Sequence, residues 1–324
     1  MNFKFIDLFC GLGGFRIAFE SLGCECVFSS DNDKYVQKTY ELNFGELPFG
    51  DITKINEKDI PNHDILCAGF PCQPFSIGGK RQGFEDTRGT LFFEVLRITK
   101  EKQPKIIFLE NVAGLSNHDN GKTMKTILDC LKEIGYIPFF KIINAKDVGY
   151  PQNRSRWYCV AFNKKTFPNI DKNCENLFPK KRKLKYEIES LFEKNVDLKY
   201  SITDTCKYNI EQYINKFYES QRYNSEHILI ANEVRKSRCG FRCDGISPCL
   251  TAKMGTGGNN IPIIVSEKRK LTERECLRIM GYPDSYKIQN NHHQSYKQIG
   301  NSVIVPIITD IAKEIINILT KETN

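Results

Sequence analysis

The chain has 324 residues, 40% of them hydrophobic and 27% charged, which fits about two folded domains and excludes extensive disorder. It contains neither an 18-residue apolar run nor the pattern of a signal peptide. These features argue against a membrane-spanning helix and predict a cytoplasmic protein. The net charge of +8 lies entirely within residues 161–270, where there are 21 basic and 13 acidic residues.

The first 160 residues alternate predicted strands and helices. Short apolar runs predict strands at 3–9, 26–29, 64–68, 105–109, 137–143 and 158–162. Amphipathic stretches predict helices ending near residue 22 and covering 34–42 and 122–134. This alternation is typical of an α/β fold with a doubly wound, mostly parallel sheet, in which ligands bind beyond the carboxyl ends of the strands.

The central region has a different character. Residues 163–270 are rich in Lys and Asn and show irregular apolar spacing, which predicts a smaller and less regular domain. A basic block with interspersed aromatic residues is typical of a surface that binds a polyanion such as nucleic acid. A solvated Lys-rich surface is the alternative reading of the same charge.

Order returns near the C-terminus. Thr272 and Glu275 form a capping-box pattern that predicts a helix to Met280. A last helix is expected after Asn301, ending near Leu319. The predicted domains are therefore 1–162, 163–270 and a return segment, 271–324, whose final helix packs on the first domain.

The 13 cysteines predict reduced thiols rather than disulfides. Their number is odd, no Cys-x-x-Cys pair occurs, and the five histidines do not complete a zinc pattern. We therefore expect no structural metal.

A Gly-rich turn follows the first predicted strand, in the segment DLFCGLGGF at 7–15. Glycines let the backbone approach a ligand closely. A dinucleotide fingerprint starting at Gly11 needs glycine where Arg16 stands, so a nucleoside cofactor without a pyrophosphate fits better. Asp31 and Asp51 follow the next strand ends, where carboxylates can hold ribose hydroxyls or an adenine amino group.

Three loops at predicted strand ends carry reactive residue types. In GFPCQPFS, at 69–76, two prolines hold the backbone on both sides of the Cys72 thiol. Glu110 ends another strand, and Arg154 and Arg156 precede a third. A thiol, a carboxyl and a guanidinium at one sheet edge form a nucleophilic constellation. The alternative is three unrelated loops, with Glu110 paired with an arginine.

The chain resembles the cytosine-5 DNA methyltransferases of bacterial restriction–modification systems. Seven segments match the motifs of that family in order and reach from residue 7 to residue 303. The segments are 7–15, 69–76, 86–91, 110–112, 152–156, 269–283 and 296–303. The resemblance implies the S-adenosylmethionine-dependent methyltransferase fold, with residues 163–270 as a smaller, irregular target-recognition domain.

The same resemblance implies a covalent mechanism and its catalytic residues. Cys72 would add to carbon 6 of cytosine, which makes carbon 5 nucleophilic. Glu110, carrying a proton, would engage N3 and the exocyclic amine. Arg156 would hold the O2 oxygen, and Arg154 would support it.

S-adenosylmethionine is the implied cofactor. Phe9 would lie against the adenine. The other implied contacts are Gly11, Gly13, Gly14, Asp31, Asp51, Pro71, Asn301 and Ser302. The family usually has glutamate and a bulky apolar residue where this chain has Asp31-Asn32, which predicts a lower cofactor affinity.

Double-stranded DNA is the implied substrate, with the target base flipped out of the helix. The implied DNA contacts are Ser76, Lys80, Arg81 and Arg88 in a closing loop, and Leu250, Thr251 and Lys253 in the recognition domain. Cys249 stands where the family usually has threonine. Residues 253–262 resemble enzymes that modify sites beginning with CC and ending with GG. A monomer functionally paired with a restriction endonuclease is expected.

Three alternatives remain. A tRNA cytosine-5 methyltransferase shares these motifs but usually lacks such a recognition domain. A DNA-binding protein on a degenerate methyltransferase core is a second alternative, against which the intact Cys72, Glu110 and Arg156 argue. A nicotinamide oxidoreductase is disfavoured by Arg16.

Overall fold

The structure is a computed structural model that describes residues 2–71, 91–170, 174, 176–220, 223, 225–257, 259–289 and 291–323. The chain divides into two compact units. The first unit comprises Met1–Ile143, Ser155–Lys180 and Ile307–Asn324. The second comprises Asn144–Arg154 and Lys181–Pro306.

A six-stranded sheet forms the centre of the first unit. Its strands are β1 (Lys4–Leu8), β2 (Glu25–Ser30), β3 (Ile65–Ala68), β4 (Ile106–Val112), β5 (Tyr136–Asn144) and β6 (Ser155–Asn163). Their order across the sheet is β2-β1-β3-β4-β6-β5. The pairs β1–β2, β1–β3 and β3–β4 are parallel, and β4–β6 is antiparallel. The predicted mostly parallel α/β fold is confirmed.

Four helices connect these strands: α1 (Gly14–Glu20), α2 (Lys34–Phe44), α3 (Leu91–Lys102) and α4 (Lys122–Glu133). β3 is buried along its whole length, as expected for a central parallel strand covered on both faces. Asp33 caps α2 through the backbone N–H of Tyr35, and Gly45 ends this helix in the left-handed conformation, with φ 73°. The cap at Asp33 fixes the start of α2 just after the end of β2, where the candidate site lies.

The second unit contains a small antiparallel sheet. Its strands are β7 (Ile230–Arg235), β8 (Arg238–Arg242), β9 (Ile263–Ile264) and β10 (Arg269–Lys270), in the order β10-β9-β7-β8. Its helices are α5 (Asp204–Tyr218), α6 (Glu273–Met280) and α7 (His292–Asn301). A core of Ile202, Cys206, Ile210, Ala231, Val234 and Ile263 packs α5 on the sheet. The last helix, α8 (Val305–Thr323), lies mostly in the first unit.

The units differ from the domains expected from the sequence. Only 307–324 of the predicted return segment groups with the first unit, whereas 271–306 and 144–154 belong to the second. The physical reason is a set of contacts between 271–306 and the small sheet. Arg269 of β10 forms an ion pair with Glu275 of α6, and the Leu271 backbone N–H donates to the carbonyl of Pro262, which directly precedes β9, at 2.9 Å.

The capping box at Thr272 is confirmed, since its hydroxyl accepts from the backbone of Glu275 and the Glu275 carboxylate accepts from the backbone of Thr272. Among the described residues, no helix is long and apolar enough to cross a membrane.

Candidate active site

A carboxylate and a guanidinium meet at the carboxyl edge of the large sheet. β4 runs parallel to β3 and ends at this edge, whereas the antiparallel β6 begins there. Arg156 lies opposite Val112, two residues beyond Glu110, so both charged side chains share one face. Arg156 Nε lies 3.0 Å from Glu110 Oε1, and the two side chains are only 15% and 10% exposed. The topology thus brings together two residues that are 46 positions apart in the chain.

The beginning of the cysteine loop lies beside this pair. A Cβ atom placed on Gly69 would stand 3.7 Å from Glu110 Oε2. The Asn111 side chain donates a 2.9 Å hydrogen bond to the Phe70 carbonyl, which ties the loop to the end of β4. Asn111 is absent from the predicted site, although it directly follows Glu110 in the sequence. Its role could not be predicted from the sequence, because it depends on the path of the loop backbone at Phe70.

Several predicted site residues fall on the segment that follows. Pro71, which is exposed, is its last described residue. Cys72 and the four predicted DNA contacts Ser76, Lys80, Arg81 and Arg88 lie outside the described residues.

The Gly-rich turn has an unusual backbone. Phe9 has φ 56°, in the left-handed region that non-glycine residues rarely adopt. Gly11 and Gly13 have φ 54° and φ 69°. A Cβ atom on Gly13 would lie 2.5 Å from the Phe44 ring, so both the conformation and the packing require glycine there. Gly14 is buried and begins α1.

Asp31 holds the Gly-rich turn against the end of β2. Its Oδ2 accepts a 3.0 Å hydrogen bond from the Gly11 backbone N–H. Its Oδ1 accepts from the Asp33 backbone at 2.9 Å. The neighbouring Asn32 is exposed. One half-buried carboxylate therefore links the two strand ends at which a nucleoside ligand is expected.

Asp51 lies near the same strand ends but in a more open position. Its Oδ1 accepts from the Thr53 hydroxyl at 2.8 Å and from the Thr53 backbone at 3.0 Å. The hydrogen bonds from Thr53 lower the pKa of Asp51. The carboxylate is therefore ionised at neutral pH and can accept from a donor such as an exocyclic amine.

The hydrogen-bonding groups at this edge of the sheet fit S-adenosylmethionine. Carboxylates at 31 and 51 offer acceptors for hydroxyl and amino groups, and the half-buried Gly11 has no side chain to keep a ligand from the backbone. In addition, the Ser30 hydroxyl at the end of β2 is buried and has no hydrogen-bond partner within the described part of the chain. Such a group is expected to find its partner in a ligand or in water.

Asp7 is a buried carboxyl beneath the turn. It has no solvent exposure. Desolvation by burial raises the pKa of Asp7 well above its usual value, against the opposing effect of the Arg16 guanidinium. Asp7 therefore retains its proton to a higher pH than an ordinary aspartic acid.

Arg154 is buried, and its guanidinium is surrounded by backbone carbonyl groups. It is 2% exposed, and its guanidinium donates to the carbonyls of Leu250 at 2.6 Å and Gly300 at 3.1 Å, and to that of Ser302. It thereby joins separate segments within the second unit. These contacts hold the Arg154 side chain in place, and its support of Arg156 stays a prediction.

The other predicted residues of the second unit differ in exposure. Asn301 is exposed, and the buried Ser302 hydroxyl is hydrogen-bonded to the Tyr282 hydroxyl. Thr251 and Lys253 are exposed, as a DNA contact requires. The Leu250 side chain is fully buried, and its DNA contact stays a prediction.

The described residues hold no group of three or more His, Cys, Asp or Glu side chains that could bind a metal ion.

Comparison with known proteins identifies the family. The profile of the family "C-5 cytosine-specific DNA methylase" matches residues 3–317, nearly the whole chain. The chain belongs to this family. It is accordingly a DNA (cytosine-5)-methyltransferase, as the resemblance in the sequence implied.

Curated relatives agree with this assignment. The type II methyltransferase M.HhaI of Haemophilus parahaemolyticus is 44% identical over 318 residues, which cover 96% of this chain and 94% of the relative. The type II methyltransferase M.HpaII of Haemophilus parainfluenzae is 46% identical over 330 residues, covering 97% and 89%.

Solved structures share the fold of this cytosine-5 methylase. DNMT2 from Spodoptera frugiperda has a TM-score of 0.70 at 23% identity, covering 97% of this chain and all of that one. The methyltransferase EhMeth of Entamoeba histolytica has a TM-score of 0.72 at 20% identity, covering 98% and 99%. At these identities the likeness concerns the fold alone.

Proposed function

We propose that this methylase transfers a methyl group from S-adenosylmethionine to carbon 5 of one cytosine in a short duplex DNA site. The observation that carries the proposal is the buried pair of Glu110 and Arg156 beside the start of the cysteine loop. A flipped cytosine offers N3, an exocyclic amine and O2 along one edge. A carboxyl and a guanidinium on one face of the sheet are complementary to that edge.

The proposed reaction begins at Cys72. Its thiolate adds to carbon 6 of the cytosine, which converts the ring to an enamine with a nucleophilic carbon 5. Glu110 donates a proton to N3 and accepts from the exocyclic amine, while Arg156 donates to O2. When the cytosine is bound, Glu110 and Arg156 therefore exchange their contact with each other for contacts with the base. After transfer, a general base takes the carbon 5 proton, the ring expels the Cys72 thiolate, and N3 returns its proton to Glu110.

The cofactor supplies an electrophilic methyl group on a sulfonium. We assign its binding to the carboxyl edge of β1 and β2, with Phe9, Asp31 and Asp51 at the nucleoside. Gly11, Gly13 and Gly14 would border the methionine part, together with Pro71, Asn301 and Ser302. Gly11 supports this assignment, because it is half-buried and a Cβ atom there would meet only the Phe9 carbonyl, at 3.9 Å.

We place the DNA surface in the second unit, with Thr251 and Lys253 among its contacts. The charge distribution supports this, since the excess of basic residues falls within 161–270. Binding that relies on phosphate contacts weakens steeply with salt. The affinity for duplex DNA should therefore fall by orders of magnitude between about 50 and 200 mM salt. A constant affinity would argue against this surface.

The biological role follows from the relatives. Both curated relatives above are named type II methyltransferases, so we propose a monomeric cytoplasmic enzyme that protects DNA from a cognate restriction endonuclease. A site of the CC…GG kind is proposed from residues 253–262.

Methyl transfer to mixed-sequence duplex DNA and to tRNA, measured side by side with labelled cofactor, tests the proposal. We expect incorporation into DNA only, and bisulfite sequencing should show methylcytosine in one short context. Incorporation into tRNA alone would favour the RNA-methylating alternative. Cofactor binding without transfer to either substrate would favour a DNA-binding protein on a retired enzyme core.

A further inference from the structure

A cleft of about 510 Å³ lies within the second unit, along the edge strand β8. Its walls combine aromatic, basic and amide side chains from α5, β7 and β8. They include Tyr213, Lys216, Phe217, Asn232, Phe241 and Arg242. None of these residues belongs to the site described above or to the motifs that identified the family.

Arg242 is held in a fixed orientation at the wall of this cleft. Its Nε donates to Asp244 Oδ1 and to the Ile246 carbonyl, each at 3.2 Å, and its Nη2 donates to Asp244 Oδ2. These bonds engage one edge of the guanidinium. Its Nη1 donates to no group in the part of the chain that the structure describes. The Nη1–Nη2 edge is therefore left as a planar two-donor fork, on a side chain that is 21% exposed.

Asn232 lies on the neighbouring strand and on the same face. It pairs with Gly240, and Arg242 pairs with Ile230, so Asn232 and Arg242 are diagonal neighbours, roughly 7–8 Å apart. A Cβ atom on Gly240 would lie 2.9 Å from Asn232 Oδ1, so glycine leaves room for this amide. The amide has no hydrogen-bond partner among the described residues. A guanidinium whose Nη1 has no partner among the described residues, and an unpaired amide, thus line one cleft.

The chemistry of the pair favours a nucleobase over a phosphate. Asp244 neutralises the charge of Arg242, and its carboxylate would repel a phosphate that approached the same guanidinium. Neutral acceptors carry no such penalty. Guanine presents two of them, O6 and N7, in the major groove, at the spacing of an arginine fork. Phosphate contacts, by contrast, position a protein without reading sequence.

We infer that Arg242, oriented by Asp244, reads a guanine of the target site in the major groove. This inference rests on the proposed function and adds a specificity-determining residue to it. Asn232 lies where it can contact the adjoining base pair. The aromatic rings of the cleft border the base edges, and Lys216 adds positive charge beside the DNA.

Arg242→Lys is the sharpest test, because it keeps the charge and removes the fork. The substrates are duplexes carrying the wild-type site, as found by bisulfite sequencing, and every single base-pair change of that site. We expect kcat/KM for the wild-type site to fall roughly 10- to 100-fold. We also expect discrimination at one guanine position to disappear, with the other positions unchanged.

Arg238→Lys is the matched control on the same strand. Its side chain is 66% exposed, forms an ion pair with Glu233 at 3.1 Å and does not line the cleft. It should leave the ranking of all substrates unchanged. Asp244→Asn should weaken discrimination at the same guanine position as Arg242→Lys, but to a smaller extent. The reason is that the Arg242 guanidinium is then less firmly oriented. Circular dichroism and calorimetry with S-adenosylhomocysteine establish that each variant is folded.

The outcomes separate the two claims. If Arg242→Lys ranks the duplex substrates by kcat/KM in the same order as wild type at every position, this inference is overturned. This holds whether the activity of the variant is full or uniformly reduced. A uniform loss is what a phosphate contact or a structural role produces. A wild-type enzyme that methylates no duplex DNA overturns the proposed function itself, and the inference with it.

Discussion

Glu110 Oε1 lies 3.0 Å from Arg156 Nε, across a pair of antiparallel strands in which one ends and the other begins at the same sheet edge. Both side chains are nearly excluded from water, and each faces the opposite charge of the other at this distance. A substrate that separates Glu110 from Arg156 must offer a hydrogen-bond partner to each of them. This requirement gives the site a preference for a ligand with a donor and acceptors on one planar edge, as cytosine has.

Glu110→Gln should lower kcat for methyl transfer by roughly 10²–10⁴-fold, because glutamine cannot transfer a proton to N3. Binding of S-adenosylhomocysteine, measured by calorimetry, should be nearly unchanged. Glu133→Gln removes an exposed carboxylate of the same unit and should leave kcat at the wild-type value. Full activity in Glu110→Gln would show that no proton from this residue is needed.

Asp31→Ala should weaken cofactor binding, because the nucleoside loses the charged hydrogen-bond acceptor that we assign to it and the Gly11 turn loses its anchor. A hydrogen bond to a charged group contributes about 1.5–3 kcal/mol, or about 10- to 100-fold in Kd. Asp33→Ala is the control: it removes the cap of α2 and should cost about 1 kcal/mol of stability while leaving Kd unchanged. Equal effects of the two variants on Kd would refute a direct role for Asp31.

Asp7→Asn should raise the free energy of unfolding at neutral pH. The pKa of Asp7 in the folded protein lies well above its ordinary value of 3.8, so the folded state holds a proton that the unfolded chain releases. The contribution of this group to stability is therefore complete below pH 3.8 and is lost as the pH rises toward its folded pKa. Asparagine does not titrate, so the advantage of the variant should grow with pH.

Urea unfolding of wild type and Asp7→Asn at a series of pH values measures this difference. The two proteins should converge at acidic pH. Asp59→Asn, which removes an exposed charge in the same unit, controls for the change in net charge. A difference that is constant with pH would contradict the burial argument.

Glu275→Gln should destabilise the second unit by about 1.5–3 kcal/mol, because Arg269 loses the buried one of its two carboxylate partners and keeps only the more exposed Glu267. Glu275 is fully buried and also accepts from the backbones of Thr272 and Glu193, at 2.8 and 2.9 Å. Asp284→Asn breaks an exposed ion pair with Arg278 and should cost about 0–1 kcal/mol. Thermal unfolding compares the two, and equal losses would contradict the account.

Much of the first unit could be predicted because its signals are local. The apolar runs of β1 and β3 and the caps of α2 and α6 are readable over a few residues. The meeting of Glu110 and Arg156 follows from strand topology alone. β4 nevertheless extends past the predicted end at residue 109, because its antiparallel partner continues the pairing to Val112.

The second unit was harder to predict because its contacts are long-range. The spacing of Cys206, Ile210 and Phe217 is that of a buried helix face, but Lys and Asn residues between them obscured it. The burial of Arg154 depends on carbonyls about 96–148 positions away, which no local pattern contains. Arg242 and Asn232 became candidates only when pairing of β7 and β8 placed them on one face.

The central claim is that Cys72 attacks carbon 6 of a cytosine in duplex DNA before the methyl group moves. A duplex with 5-fluorocytosine at the target position tests this directly, because fluorine cannot leave as a proton does and the adduct persists. Denaturing electrophoresis should show a cofactor-dependent covalent complex with wild type and with Cys174→Ala, and none with Cys72→Ala. A complex formed by Cys72→Ala would contradict the account, as would no complex from a wild-type enzyme that methylates the unmodified duplex.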